Sequence, residues 1–376
     1  MMRFLMIIVL FLFSLVFFST PTWADELPQD YFVEGDFCYH VIGENEVEAV
    51  GIRKEVVQDY ENNSGVWRFP GTIIHEDKRY TLTRIVDYEY QHKDDYSNKI
   101  KNGMTVNYCQ PAPLYFLYEK NFEGVTDFSL YNPEKIIFPD TLTYIGEGAF
   151  SKMEGEIVFA KKYKCLVIGK QAFGGRIENF TIPEGCVEIG ERALGQAKHV
   201  TFPNTLKTIG AGVIGPWTES VSIPKENLYF KMKDGILYSK DEKMLYAVSG
   251  KATTNIVVSK KTTKLKKGAF AFSNVKTVTL NEKITTIPSC AFTQCKELEQ
   301  VRITRQLRRI GYGAFSHCTN LKTVGSLTSL REVNRAAFWG DDNLTLRMPR
   351  NVTNVDKYAF TGTRYKTSFV IEYLDE

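Results

Sequence analysis

The sequence predicts a β-rich repeat solenoid, because one pattern recurs nine times between residues 133 and 363. Each unit ends on a large apolar anchor; Ala precedes eight of the anchors and Val213 precedes the other. The units are 20–23 residues long, apart from one interval of 56, so each must stack on its neighbours to bury a core. We number the units as rungs one to nine by their anchors, Phe150, Phe173, Leu194, Ile214, Phe270, Phe292, Phe315, Phe338 and Phe360.

Within each rung, two short apolar pieces read as β-strands joined by turns. Val200-Thr201-Phe202 alternates apolar and polar residues, which predicts one side chain inward and the next outward. An aliphatic residue stands five positions before every anchor, and in five rungs the next residue is glycine. We expect these glycines to occupy turns with positive φ. They are Gly146, Gly169, Gly190, Gly210 and Gly311.

The same residues carry a family resemblance. The stretch "IIFPDTLTYIGEGAF" at 136–150, and its counterparts at 180–194, 200–214 and 346–360, resemble the repeat of the BspA-like, or Treponema-type, bacterial surface leucine-rich repeat family. The resemblance implies a leucine-rich repeat solenoid on an exported protein. It also implies a role in adhesion, because family members with an assigned role bind host or bacterial partners.

The 56-residue interval between rungs four and five contains one rung and about 34 extra residues. Asp234-Gly235 lies between apolar stretches and predicts a tight turn. The run that follows is similar to a hairpin insertion of the same family. We therefore expect a protruding β-meander, at about 225–253, that interrupts the coil without ending it.

The regions outside the repeat have other expected roles. Residues 1–24 have a basic start, an apolar centre and Ala24 at their end, which predicts a cleaved secretory signal peptide and no membrane span afterwards. Residues 25–132 alternate like hairpins and predict a β-rich capping module, in which 71–87 resembles a degenerate first repeat. Residues 364–376 are expected to cap the other end, since solenoids need atypical terminal units.

No enzyme motif is visible in the sequence. The five histidines are scattered, and there is no P-loop, Gly-x-Ser-x-Gly or Gly-x-Gly-x-x-Gly. We therefore predict a protein that is not an enzyme, with no cofactor and no metal. His317 beside Cys318 is interpreted as a turn histidine and not as half of a metal site.

The cysteines recur with the repeat and suggest two stacked pairs. Cys165 and Cys186 precede successive anchors by eight residues, and Cys295 and Cys318 follow successive anchors by three. Adjacent strands lie about 4.8 Å apart, so each pair is a candidate disulfide. The alternative is a ladder of small buried side chains, which is also what the family resemblance implies. Cys38 and Cys109 form a third candidate pair in the front module.

Charge is distributed unevenly along the chain. Residues 25–130 carry 20 acidic and 10 basic side chains, whereas residues 251–350 carry 18 basic and 6 acidic ones. The basic residues alternate with inward positions, so we expect an outward basic face on rungs five to seven that suits an anionic partner; a plain solvated face is the alternative. The candidate residues are Lys260, Lys261, Lys264, Lys266, Lys267, Arg302, Arg305, Arg308 and Arg309.

A second candidate surface is a tyrosine-rich loop in the front module. Tyr88, Tyr90 and Tyr96 lie in "DYEYQHKDDYSNK", a composition that suits protein or sugar recognition; an ordinary loop is the alternative and the simpler interpretation. Together these features predict a secreted or cell-surface monomer that binds an extracellular protein or an anionic glycan, and not nucleic acid. The alternative function is a structural or glycan-capturing component of a cell-envelope complex.

Overall fold

The computed structural model describes residues 29–53, 65–86, 125–126, 128, 131–325, 327–349, 352–360 and 370–374. All the regular elements of this described part are β-strands. They wind into a solenoid of about ten turns, as the repeat predicted. Each rung contributes a first strand, a corner turn, a second strand and an anchor turn that contains the Ala-Phe pair.

The first strands lie side by side in parallel along the solenoid, in three separate sheets. The sheet nearest the front has the order β10-β8-β4, the next has β12-β14-β16, and the last has β20-β22-β24-β26-β28-β30. Their bounds are β4 Val66–Arg68, β8 Lys135–Ile137, β10 Glu156–Val158, β12 Asn179–Thr181, β14 His199–Thr201, β16 Ser220–Ser222, β20 Asn255–Val257, β22 Thr277–Thr279, β24 Gln300–Arg302, β26 Thr323–Val324, β28 Thr345–Pro349 and β30 Val370–Leu374.

The second strands form a parallel stack of their own on another side of the rung. One ladder runs from β6 through β9, β11 and β13 to β15, and another runs β23-β25-β27-β29. The bounds are β6 Lys78–Ile85, β9 Tyr144–Ile145, β11 Lys162–Ile168, β13 Glu184–Ile189, β15 Thr208–Ile209, β21 Lys264–Leu265, β23 Thr286–Ile287, β25 Arg309–Ile310, β27 Glu332–Val333 and β29 Asn354–Val355.

The front module extends the second-strand sheet. Its strands are β1 Tyr31–Glu34, β2 Phe37–Val41, β3 Glu46–Arg53, β5 Thr72–His75 and β7 Val125–Thr126. The order β1-β2-β3-β6 continues directly into β9 of rung one, and β4 pairs with β8. Residues 66–85 therefore supply both strands of a degenerate first rung, and this rung begins before the stretch 71–87 that resembled a degenerate repeat.

The anchors stack in the core as predicted. The rings of Phe270, Phe292, Phe315 and Phe338 follow one another at centroid distances of 4.7, 5.1 and 5.3 Å, with interplanar angles of 12° or less. All four are at most 1% exposed. The second half of the solenoid is therefore held by a continuous column of parallel phenyl rings, and Phe360 extends it at 5.7 Å.

The column does not run through the whole solenoid, because the buried side chains form two cores. One contains anchors one to four and the other contains anchors five to nine. Between them lie three antiparallel strands, β17 Phe230–Lys233, β18 Ile236–Ser239 and β19 Met244–Val248, and β19 then pairs with β21. In β18, Leu237 packs in the first core, whereas Ile236 and Tyr238 pack in the second.

The meander expected at 225–253 is thus a wall between two cores and not a protrusion. Its strands alternate apolar side chains toward both sides, as "DGILYS" allows. Buried Glu242 fixes the wall to rung five, since the Ser259 hydroxyl donates to its Oε2. Within the wall, Lys231 Nζ donates to Oε1 of the same side chain at 2.6 Å. The column of anchor rings is interrupted because the meander occupies the space between anchors four and five.

The repeated glycines have a different role from the predicted one. None of the five has a positive φ. A Cβ at Gly169, Gly190, Gly210 or Gly311 would lie 2.8, 2.5, 2.3 or 2.6 Å from a backbone nitrogen of the preceding rung. Glycine is therefore required for close approach of the rungs. Positive φ occurs instead two residues before the anchor, at Gly148, Gln171, Arg192, Gly212, Gly268, Cys290, Gly313 and Ala336.

Candidate functional site

The nine predicted basic residues do not share one face of the solenoid. Lys260, Lys261 and Arg305 lie in corner turns, Arg308 and Arg309 lie at the second strand, and Arg302 is the last residue of a first strand. Lys264 begins β21 and Lys266 and Lys267 follow it toward the anchor turn. The sequence pattern predicted that all nine point outward. Eight of them are exposed and Lys266 is half-buried, but the turns of the rung separate them.

The two basic segments also belong to rungs that are not adjacent. Lys260 stands ten residues before its anchor, and Arg305 stands ten before the anchor two rungs later. The equivalent residue of rung six is Glu282, followed by Lys283, and both are exposed. The predicted basic face on rungs five to seven is therefore interrupted, because rung six, which carries Glu282 at the equivalent position, separates the two basic segments.

Four of the nine cations have partners that reduce their availability. Lys267 Nζ lies 3.2 Å from Glu191 Oε1, and Arg309 Nε lies 3.3 Å from Glu332 Oε2. Lys266 Nζ sits 5.8 Å from the centroid of the Tyr246 ring, and Arg302 Nε donates to Gln300 Oε1. These contacts favour the interpretation of a solvated face for this subset.

The other five cations remain available to a ligand. Within the described residues, no carboxylate oxygen lies within 4.0 Å of their charged nitrogens. All five are exposed, and they cluster where the corner turn meets the second strand in rungs five and seven. We call this set the basic corner: Lys260, Lys261, Lys264, Arg305 and Arg308.

Hydrogen bonds from the next rung fix the corner turn of rung five. The buried side chain of Asn281 donates from Nδ2 to the carbonyls of Ser259 and Thr262, at 2.6 and 2.9 Å. Its Oδ1 accepts from the backbone N–H of Lys283 at 2.8 Å. The backbone that carries Lys260 and Lys261 is therefore rigid, and Lys283 is held beside it.

Lys283 is a residue of this surface that the sequence reasoning missed. It lies outside the two basic segments, "KKTTKLKK" at 260–267 and "VRITRQLRR" at 301–309, from which the candidate residues were chosen. Counting back nine residues from each anchor would have aligned it with Lys261. Position in the repeat, and not local charge density, was the useful signal.

Five of the six cysteines in the predicted pairs lie in the described part of the chain, and all five are free thiols: Cys38, Cys165, Cys186, Cys295 and Cys318. Cys295 Sγ donates to the carbonyl of Phe270 at 2.9 Å, and Cys318 Sγ donates to that of Phe292 at 3.0 Å. Both thiols are thus directed at the anchor carbonyl of the preceding rung. These contacts fit the alternative, a ladder of small buried side chains.

The expected stacking of Cys165 on Cys186 is wrong. A register irregularity between β11 and β13 places Leu166 opposite Cys186, so Cys165 is exposed while Cys186 is buried. Burial raises the pKa of Cys186 to about 12, and it raises the pKa of buried Cys38 to about 12 as well. Cys109, the proposed partner of Cys38, lies outside the described residues.

The cysteine ladder ends on a buried acid. Ser273, Cys295, Cys318 and Asp341 occupy one position, three residues after successive anchors. Asp341 is fully buried, and its Oδ1 accepts from the backbone N–H of Cys318 at 2.8 Å. Its Oδ2 is buried with no hydrogen-bond partner among the described residues. Burial raises the pKa of Asp341 well above 3.8.

The front module contains an acid–imidazole–acid cluster that the sequence did not reveal. His40 Nδ1 lies 2.9 Å from Glu48 Oε1, and Nε2 lies 3.1 Å from Asp30 Oδ2. Tyr31 stacks on the imidazole at 4.4 Å. The hydrogen bond to Glu48 holds the pKa of His40 above 6.5, despite partial burial. Since both ring nitrogens face carboxylates, this cluster fastens β1 to β2 and β3.

Two further predictions concern places where the structure provides little or no site. Tyr88, Tyr90 and Tyr96 lie outside the described residues. Among the residues that are described, no group of three or more His, Cys, Asp or Glu side chains could hold a metal ion. In the same part of the chain, no helix has the length and apolar character needed to cross a bilayer.

Solved structures show the same fold over nearly the whole chain. A leucine-rich repeat protein from Eubacterium ventriosum covers 91% of this chain and 84% of its own, with 19% identity and a TM-score of 0.62. The pneumococcal vaccine antigen PcpA has 16% identity, coverage of 92% and 94%, and a TM-score of 0.54. A leucine-rich cell surface protein from Faecalibacterium prausnitzii has 15% identity, coverage of 94% and 96%, and a TM-score of 0.54.

The family model matches most of the repeat region. No curated protein matches the chain. The model of the BspA type leucine rich repeat region matches six copies, over residues 123–229 and 245–366. The gap between the two matches falls within the meander that separates the two cores. The chain therefore belongs to the BspA-type leucine-rich repeat family.

Proposed function

We propose that this protein is exported and acts at the cell surface as a non-catalytic binding protein. Its basic corner would hold an anionic partner, either a sulfated glycan or an acidic protein surface. The observation that carries this proposal is the set of five exposed cations that have no carboxylate partner within the described residues. Like charges repel, so an unneutralised cluster on a rigid turn is favoured where a counter-charge arrives with a ligand.

The architecture supports binding through an extended surface. Corner turns recur about every 4.8 Å along the solenoid, so rungs five and seven place cations about 9.6 Å apart. A linear polyanion that lies along the solenoid would contact both clusters, while each single contact stays weak and exposed. Two of the similar proteins are named as a cell surface protein and as a vaccine antigen, which suits a surface role.

Charge reversal tests the site. We expect the fourfold variant Lys260→Glu, Lys261→Glu, Arg305→Glu and Arg308→Glu to bind heparin at least about tenfold more weakly than the native protein, since each exposed ion pair contributes up to about 1 kcal/mol. Arg309 is left unchanged, because it already pairs with Glu332 and is not part of the basic corner.

A matched control separates a site from general charge attraction. Lys161, Lys162, Lys164 and Lys207 are exposed in the first half, and their reversal changes the net charge equally. Equal loss of heparin binding in both variants would mean that no specific corner exists. Retention by the corner variant would reject the proposal directly.

The location needs its own experiment, because an envelope component is the competing role. Protease added to intact cells should cleave a surface-displayed chain and release fragments of the solenoid. Protection until the envelope is permeabilised would favour the internal accessory role. N-terminal sequencing of the mature chain would test cleavage after Ala24.

A further inference from the structure

A cavity opens in the first half of the solenoid, away from the basic corner. It has a volume of about 410 Å³ and lies just after the anchor turns of rungs two to four. The lining residues are Arg176, Ile177, Glu178, Gln196, Lys198 and Trp217. Its size falls within the range of small-molecule sites.

Three side chains from successive rungs line the cavity. The register of the first strands pairs Asn179 with His199 and His199 with Ser220, so the residues three positions earlier, Arg176, Gln196 and Trp217, lie in one column. Ala197 is buried and is not a lining residue. Arg176 and Trp217 are therefore two rungs apart, about 9.6 Å along the solenoid, and the slot that they bound has Gln196 between them.

Trp217 is held by a tight turn that positions the indole ring. The backbone N–H of Thr218 donates to the carbonyl of Gly215 at 2.9 Å, and Thr218 Oγ1 donates to the carbonyl of Ala197 at 3.1 Å. A Cβ at Gly215 would lie 2.5 Å from the indole ring, so only glycine lets the ring fold back over the turn. The turn is thus anchored to the rung that forms the slot.

The groups around the slot are rich in hydrogen-bond donors. Lys198 Nζ pairs with Glu178 Oε2 at 2.7 Å, which neutralises one cation. Arg176 is exposed and has no carboxylate within 4.0 Å among the described residues. Trp217 Nε1 is buried and lacks an acceptor in the same part of the chain. An unsatisfied indole N–H is costly, so a ligand oxygen that accepted a hydrogen bond from it would be favourable.

We infer that this cavity binds a monosaccharide unit that carries a carboxylate. The indole face offers a flat apolar surface to the C–H face of the sugar ring. Arg176 supplies a two-pronged donor for the carboxylate, while Gln196 and the Glu178–Lys198 pair hydrogen-bond to hydroxyls. The inference goes beyond the proposed function, because it concerns another surface, another half of the molecule and a single sugar unit.

Calorimetry with glucuronate as the probe tests this inference. We expect saturable binding to the native protein, a loss of at least about tenfold in Arg176→Gln and Trp217→Ala, and an intermediate loss in Trp217→Phe, which keeps a ring but removes the N–H. Glucose, which lacks the carboxylate, should bind at least about tenfold more weakly. Arg335→Gln and Trp339→Ala remove the same side-chain types from outside the cavity and should leave binding unchanged.

The outcomes separate this site from the basic corner. Glucuronate binding that survives the corner charge reversal but not Arg176→Gln supports the cavity, whatever heparin does. No binding of glucuronate by the folded native protein would overturn the inference, as would equal binding of glucose. Circular dichroism of each variant confirms folding, and Trp217→Phe keeps the test valid if Trp217→Ala unfolds.

Discussion

Asp341→Asn is expected to stabilise the protein at neutral pH. Asp341 is fully buried, its Oδ2 has no partner among the described residues, and burial raises the pKa of its carboxyl well above 3.8. Asparagine has the same shape and keeps an oxygen for the Cys318 N–H, but it carries no charge. The substitution therefore removes the ionisable group without removing its observed hydrogen bond.

The gain in the free energy of unfolding from Asp341→Asn depends on pH. Because the folded-state pKa is raised, the folded protein binds the proton more tightly than the unfolded chain does. Native stability is then greatest below pH 3.8 and falls by about 1.4 kcal/mol per pH unit above it, until the folded-state pKa is reached. The amide of the Asp341→Asn variant does not titrate, so the advantage of the variant should widen between pH 4 and pH 7.

Urea unfolding of both proteins at several pH values measures this difference. A gap that is constant between pH 4 and pH 7, or a variant less stable than the native protein at pH 7, would refute the reasoning. Asp140→Asn changes an exposed aspartate in rung one and should leave stability within about 0.5 kcal/mol at pH 7.

Two further predictions concern the core and the front module. Phe292→Ala should lower the free energy of unfolding by about 3–5 kcal/mol, because its ring lies between two others. Phe360→Ala, at the half-buried end of the column, should lower it clearly less in the same urea titration. Equal losses in the two variants would contradict the stacked core. His40→Gln should abolish a contribution to stability that is complete below pH 6.5 and is lost as pH rises through the raised folded-state pKa of His40. Hydrogen exchange of the β1 amides between pH 6 and pH 9 measures this contribution. If the substitution does not change the exchange, the cluster does not fasten that strand.

The repeat itself could be predicted from the sequence because every rung obeys the same steric rule. Ala before the anchor and an aliphatic residue five positions earlier identified nine rungs, and all but the last anchor are fully buried. What the spacing could not give was the direction of each outward residue. Arg302 and Arg305 are three residues apart, yet a corner turn places them on different sides of the rung.

Departures from the regular rung explain the other differences. The irregular register between β11 and β13 separates Cys165 from Cys186, and no sequence signal marks it. The meander looked protruding because Asp234-Gly235 and Asp241-Glu242 resemble turns of an exposed hairpin. Its consecutive apolar residues at Ile236, Leu237 and Tyr238 were the available clue that both of its sides are buried.

The wall between the two cores bears on how the chain reaches its folded state during synthesis. The first core is built from side chains between Phe32 and Ala247, and the second from side chains between Ile236 and Ala359. The two sets scarcely overlap along the chain, so the front half has all its buried partners once about two thirds of the protein has emerged. It can then fold while the remainder is still being made, and it presents β19 as a finished template on which the later rungs assemble.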